Sequence, residues 1–206
     1  MEYALIAIIG YLLGSIPTSV WIGKAKYNVD VREHGSYNAG ATNTFRVLGK
    51  KAGIFVLFVD TCKGALAVLV PFFIFHYTWN NDTLIYLKII GGISAVIGHI
   101  FPLFAQFNGG KGVATSLGII IGLQPLAALI CIGVFLVVFV VSNYVSLGAI
   151  IAALTFPFVV QFVFNNENML LRYFSIVLAA AVIAAHHKNI KRLISGNENK
   201  MNLFKR

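Results

Sequence analysis

Lys111 lies inside FNGGKGVATSLG, residues 107–118, with Gly109 and Gly110 before it and Gly112 after it. Glycine costs about 1 kcal/mol relative to alanine inside a helix, so three of them around a cation are poor material for a membrane span. They suit a turn whose backbone must come close to an anion. Amides at a helix start, the helix dipole and one lysine together make a phosphate cradle. The run is not a nucleotide P-loop. That motif needs a glycine five residues before Gly110 and a hydroxyl residue after Lys111, where this chain has Ala105 and Gly112.

A second cluster, REHGSYNAGATNTFRVLGKK at 32–51, combines Gly35 and Gly40 with Ser36, Asn38, Thr42, Asn43 and Arg46. Hydroxyl and amide side chains bind phosphate and glycerol oxygens, and arginine adds a planar fork of donors. The plainer reading is a solvated turn with a basic flank, since loops are rich in Gly, Ser and Asn for turn chemistry alone. The third cluster is HHKNIKRLISGNENK, 186–200. His186 and Asn189 are spaced i, i+3 and share a helix face. A histidine there can bind phosphate or move a proton near neutral pH, or the segment is an interfacial basic helix holding anionic lipid.

Asp60 and Lys63 have the same i, i+3 spacing inside an apolar run. Charges within a span are costly and point to function, with mutual neutralisation as the alternative. His99, between Gly98 and Pro102, is either a catalytic candidate or a polar residue satisfied at a helix bend. The histidines show no metal-ligand spacing, which predicts no metal site. No G-x-S-x-G run offers a standard nucleophile elbow.

The elements that carry these residues must be membrane helices. The chain has 206 residues, 58% hydrophobic and 11% charged, with mean hydropathy +0.82. Soluble domains carry about 25% charged residues. The composition predicts an all-α, polytopic membrane bundle forming a single domain, 1–206. A β-barrel would alternate apolar and polar residues, and this chain does not. Spans are expected at about 3–23, 53–75, 84–105, 112–123, 125–142, 146–164 and 170–187. Met1 to Val20 reads as the first of them, not as a cleaved signal, because it lacks a basic leader and an A-x-A site. Cys62 and Cys131 lie in apolar runs and read as buried small hydrophobes. Asn81-Asp82-Thr83 matches the short glycosylation sequon. The net charge of +9 fits loops facing anionic lipid and anionic substrates, not nucleic acid.

Charge also sets the expected topology. Loop 24–52 carries Lys24, Lys26, Arg32, Arg46, Lys50 and Lys51, and the tail carries Lys188, Lys191, Arg192, Lys200, Lys205 and Arg206. The positive-inside rule puts both in the cytoplasm, so an even number of crossings separates them. Gln124-Pro125 then divides the uncharged stretch 112–142 into two spans, because proline breaks a helix. Seven crossings follow, with the amino terminus outside, the carboxyl terminus inside and the polar clusters on the cytoplasmic face.

Five segments taken together resemble the bacterial acyl-phosphate:glycerol-3-phosphate acyltransferase family of phospholipid synthesis. They are GSIPTS at 14–19, HGSYNAGATNTFR at 34–46, DTCKG at 60–64, GHIFPLFAQFNGGKGVAT at 98–115 and HHKNIKRLISGNENK at 186–200. The resemblance implies transfer of a fatty acyl group from acyl phosphate to the first (sn-1) hydroxyl of glycerol 3-phosphate, giving lysophosphatidate and phosphate without a cofactor. It implies catalytic roles for Ser36, Arg46, His186 and Asn189. It implies glycerol 3-phosphate binding by Gly109, Gly110, Lys111 and Gly112 and a structural role for Glu198. The residue types themselves suggest substrate binding by Asn38, Thr42, Asn43 and Lys63, and the i, i+3 pairing a structural role for Asp60. It also implies a bacterial plasma (inner) membrane location and a soluble partner enzyme that makes acyl phosphate. Tyr37 stands where the family usually has glycine, and His187 where it often has arginine. A transporter or flippase for an anionic lipid is the competing expectation. Such proteins often contain internal repeats, and the 14–23 and 107–118 patterns do not recur.

Overall fold

The structure is a computed structural model that describes residues 1–76 and 82–201. Asn81 of the sequon, and Lys205 and Arg206 of the tail, lie outside the described residues. Regular structure among the described residues is helical throughout: α1 Glu2–Gly14, α2 Thr18–Tyr27, α3 Ala41–Leu48, α4 Lys50–Phe75, α5 Asp82–Ile100, α6 Val113–Leu123, α7 Pro125–Ser142, α8 Val145–Phe158, α9 Met169–Ala185 and α10 His187–Ile194. Short 3-10 turns at Val31–Glu33 and Leu103–Ala105 and a π turn at Val159–Val163 complete the path.

Five stretches are long and apolar enough to cross a bilayer: Glu2–Tyr27, Lys50–Phe75, Thr83–Ala105, Pro125–Ser142 and Val145–Val163. α9 and α10, bent by 61° at His186, make a sixth if the pair counts as one span. α6 has 11 residues. At 1.5 Å per residue it reaches about 16 Å, roughly half of the hydrocarbon core. The chain is an all-helical, multi-pass membrane protein.

Its contacts group into two compact units, Met1–Leu123 and Gln124–Arg206. In the first, α1 packs along α5, and α4 packs on α5 and α6. Without a hydrophobic drive between helices in lipid, close backbone approach supplies the packing. At Gly14 an added Cβ would overlap the backbone of Ala95, and at Gly64 that of Thr115. Even alanine cannot be accommodated at either position without moving a helix.

The first span departs from the continuous helix expected over 3–23. α1 stops at Gly14, and α2 starts at Thr18 and runs on to Tyr27. Pro17 is the cause: it has no N–H to continue the ladder and disfavours the helical conformation at Ile16. The loop after α2 also contains a helix that the Gly, Ser and Asn content hid. α3 starts after Gly40, with the Thr44 hydroxyl donating back to the Gly40 carbonyl at 3.1 Å. It ends at Gly49, whose φ of 89° lies in the left-handed region.

In the second unit α8 packs against α7 and α9. Pro125 opens α7, the position where its missing N–H costs least. Asn143, at φ 61°, closes α7 in a left-handed cap and turns directly into α8. Asn168 caps α9, its side chain accepting from the Leu171 amide at 3.0 Å.

Candidate functional site

Asp60 and Lys63 meet inside the first unit, one turn apart on α4. Lys63 Nζ lies 2.8 Å from Asp60 Oδ1, and both side chains are almost fully buried. A second acceptor comes from the broken first span: the Ile16 carbonyl receives Lys63 Nζ at 2.9 Å. The Thr18 hydroxyl donates to Asp60 Oδ1 at 3.4 Å, and His99 Nδ1 stands 3.9 Å from the same oxygen. Lys63 is therefore half of a neutralised buried pair, not an isolated cation. Removing one member of such a pair costs about 3–5 kcal/mol, because the other is left charged and unpaired. Thr18, Asp60, Lys63, His99, Gly109 and Gly110 line one small pocket.

The glycine run forms the opposite wall of that cavity. Its first amides do not point outward as a cradle at 109–112 requires. The Gly109 amide donates to Ile100 O at 3.2 Å and the Gly110 amide to His99 O at 3.0 Å. The run folds back on the end of α5, and α6 begins at Val113. The amides that helix geometry leaves without an intrahelical acceptor come from the next residues, in the first turn of α6. In that turn the hydroxyls of Thr115 and Ser116 are buried and without a hydrogen-bond partner among the described residues, as is Ser15 at the end of α1. Lys111, half-buried, and Gly112, buried with φ 78°, join the turn to the helix.

The loop before α3 is tied to this turn by backbone. The Gly109 carbonyl accepts from the Ala39 amide and from Asn38 Nδ2, both at 3.4 Å. The Ala39 carbonyl in turn accepts from the Ser19 hydroxyl at 2.8 Å. Asn43 organises the loop from within: its Oδ1 accepts from the Ser36 amide at 2.7 Å, and its Nδ2 donates to the carbonyls of Val31 and His34 at 2.7 and 3.0 Å. With both ends of its amide used, Asn43 is a buried strut. Ser36 is half-buried, Thr42 is half-buried near the start of α3, and Arg46 is on the exposed side of that helix. Tyr37 is 72% exposed with φ 57°, a conformation that side chains rarely adopt.

A clamp beside the loop escaped sequence reading. Arg32 Nη2 donates to Asp30 Oδ2 at 2.7 Å, while its Nη1 reaches the Ala105 carbonyl at 2.8 Å. The Arg32 guanidinium holds the Asp30 carboxyl well below the usual carboxylate range. By sequence Arg32 is a topology charge, and only the fold shows its clamp. Thr18 and Ser19 stood inside the recognised GSIPTS run, yet nothing local marked their partners, which lie 42 and 20 residues away.

His186, Asn189 and Glu198 belong to the second unit. His186 is buried at the α9–α10 bend, with Nδ1 at 2.7 Å from Val182 O. A carbonyl can only accept, so Nδ1 carries the hydrogen there and Nε2 keeps the lone pair when the ring is neutral. Asn189 Nδ2 donates to Glu198 Oε1 at 2.7 Å, the Ser146 hydroxyl to the same oxygen at 2.8 Å, and Arg192 Nε to Oε2 at 2.7 Å. Burial opposes the charge on Glu198, but these three donors outweigh it and hold the carboxyl below its ordinary value. Met201 N to Asn143 O at 2.9 Å, and Lys200 Nζ at 5.4 Å from the Tyr144 ring centre, fasten the same tail to the α7–α8 turn.

Known proteins are similar to this chain over most of its length. The family profile described as glycerol-3-phosphate acyltransferase matches residues 4–196. A glycerol-3-phosphate acyltransferase of Chlorobaculum tepidum is 41% identical over 98% of this chain and 97% of its own. One of Streptococcus equi subsp. equi is 42% identical over 97% and 92%. The fold is similar to that of PlsY (YgiH), an integral membrane glycerol 3-phosphate acyltransferase, in its glycerol 3-phosphate form. That match has a TM-score of 0.89 at 35% identity, covering both chains completely. The lysophosphatidic acid form of PlsY gives 0.86 at the same identity. With sequence agreement reaching from the first span into the tail and a shared helical path, this chain belongs to the glycerol-3-phosphate acyltransferase family.

Proposed function

We propose that this protein transfers a fatty acyl group from acyl phosphate to the sn-1 hydroxyl of glycerol 3-phosphate, producing lysophosphatidic acid and inorganic phosphate. The observation that carries this reading is the joint at Gly109. One carbonyl gathers the Ala39 amide and the Asn38 side chain, so the Ser36–Arg46 cluster and the lysine turn share one frame. Two anionic substrates need such a frame, because their phosphates repel each other unless cations stand between them. Lys111 and Arg46 supply the charge, and the first turn of α6 supplies amides, its dipole and the Thr115 and Ser116 hydroxyls. The Asp60–Lys63 pair stays beneath as scaffold and adds little net field.

The glycerol hydroxyl oxygen attacks the acyl carbonyl carbon. The bond from that carbon to the phosphate oxygen breaks, and the phosphate departs with the electron pair. A phosphate oxygen of the substrate takes the hydroxyl proton, so no strong protein acid or base is needed. Holding both reactants in place is worth about 7–11 kcal/mol of barrier. Ser36 donates a hydrogen bond to substrate oxygen and forms no acyl-enzyme. His186, with Nε2 as its lone-pair atom, and Asn189 keep the catalytic roles given by the resemblance.

The same reading includes seven crossings, an outside amino terminus, a cytoplasmic carboxyl terminus and a cytoplasmic active site in the bacterial inner membrane. A soluble enzyme delivers the acyl phosphate. Protein purified into nanodiscs is given acyl phosphate and labelled glycerol 3-phosphate, with neither nucleotide nor metal. Lysophosphatidic acid and phosphate appearing one for one are the expected result. Turnover only with an acyl thioester would overturn the donor assignment, and label crossing vesicles without product would replace the enzyme by a transporter.

A further inference from the structure

His99 takes no part in the transfer steps above, yet it is 6% exposed and touches the site in three ways. Its carbonyl receives the Gly110 amide at 3.0 Å, beside the Ile100 carbonyl that receives Gly109. Its Nε2 packs so closely on the Gly110 Cα that an added Cβ would overlap the ring. Its Nδ1 faces Asp60 Oδ1 at 3.9 Å, the oxygen already fixed by Lys63 and Thr18. The ring is thus wedged between a buried charge pair and the glycine turn, with Lys111 the next residue in the chain.

We propose that His99 is a positioning residue for glycerol 3-phosphate. Its imidazole, braced on Asp60, forms the floor under the Gly109–Gly110 turn and so sets where Lys111 and the first turn of α6 stand. A residue that merely filled space would be replaceable by any ring of similar size. The brace needs a nitrogen facing Asp60, and the floor needs a flat group under Gly110. This assignment rests on the proposed acyltransferase reaction for its kinetic readout, but its effect on the turn is measurable without it.

The test compares His99→Ala, His99→Phe, His99→Asn, Gly110→Ala and the double variant His99→Ala/Gly110→Ala in nanodiscs. His99→Ala is expected to raise KM for glycerol 3-phosphate by about ten- to a hundredfold, the scale of a misplaced binding group. KM for acyl phosphate should stay close to the unmodified value. His99→Phe should lose as much despite its ring, and His99→Asn, which keeps a polar atom toward Asp60, should lose less. Gly110→Ala should fail through collision with the imidazole. The double variant should then be no worse than Gly110→Ala, because the colliding ring is gone. Hydrogen exchange of the 109–113 amides in ligand-free protein should quicken in His99→Ala. Unchanged exchange there overturns the positioning role whatever the activity, as does an unchanged KM for glycerol 3-phosphate in an active enzyme. Quickened exchange beside an unmodified protein that turns over no glycerol 3-phosphate upholds the role and overturns the reaction. Should His99→Ala not fold, His99→Asn matching His99→Phe in KM overturns the brace on Asp60.

Discussion

The glycine turn of the first unit and the tail of the second solve one problem by different means. Each must hold a polar segment still against apolar helices. At the turn, backbone meets backbone: Gly109 and Gly110 bond to Ile100, His99 and Ala39, with Asn38 as a side-chain tie, and the Asp60 and Lys63 charges beneath cancel. In the tail, one carboxylate gathers donors from Ser146, Asn189 and Arg192. A backbone joint has no protonation state to change but tolerates no bulk. A carboxylate joint tolerates bulk around it but fails with a single neutral substitution or a proton. The difference predicts which region answers to volume and which to charge.

The largest effect expected is on the pair under the turn. Asp60→Asn should cost about 3–5 kcal/mol of stability by leaving Lys63 charged in an apolar setting. Asp60→Asn combined with Lys63→Met should cost clearly less, a non-additivity readable from thermal unfolding in detergent. Lys111→Ala should lose about 2.7–4 kcal/mol of transition-state stabilisation while its melting temperature stays near the unmodified one. Wild-type turnover in that variant would remove Lys111 from the site.

Glu198→Ala should cost about 1–3 kcal/mol, because three donors lose their acceptor together. Here pH sharpens the contrast. The Glu198 carboxyl is held below its ordinary value of 4.5. Its contribution is therefore complete above that value and falls away as pH drops through the lower folded-state value. Melting curves should show acid sensitivity that Glu198→Gln reduces and that substitutions at Gly110 leave intact. The smallest effect is at Tyr37. Replacing it with glycine should stabilise the loop by about 1 kcal/mol, by relieving a left-handed backbone that a Cβ disfavours.

Much of this was legible in the residues. Apolar runs marked the helical segments, Gln124-Pro125 marked the α6–α7 junction, and the i, i+3 spacing brought Asp60 to Lys63. Side-chain types announced the clusters at 32–51, 107–118 and 186–200 as polar centres. The joints between them were not legible. Ala39 to Gly109 is a backbone bond, and backbone atoms carry no signature in a sequence. His99 to Asp60 spans two helices, so only packing shows which face the ring presents. Gly109 and Gly110 suit an anion loop by type, which says nothing of where their amides point. The carbonyls at the end of α5 claim them instead, since that helix end also lacks partners for its last carbonyls.

The interruption at Pro17 bears on how α4 keeps its charges. α4 carries an ammonium and a carboxylate into hydrocarbon, a poor candidate for insertion by itself. The Ile16 carbonyl that receives Lys63 lies on a segment upstream of α4, as does the Thr18 hydroxyl that meets Asp60. Both partners therefore precede α4 in the chain. The gap in the opening helix thus leaves the Ile16 carbonyl open to Lys63, and a continuous helix there would turn that carbonyl to its own ladder and leave the ammonium without it.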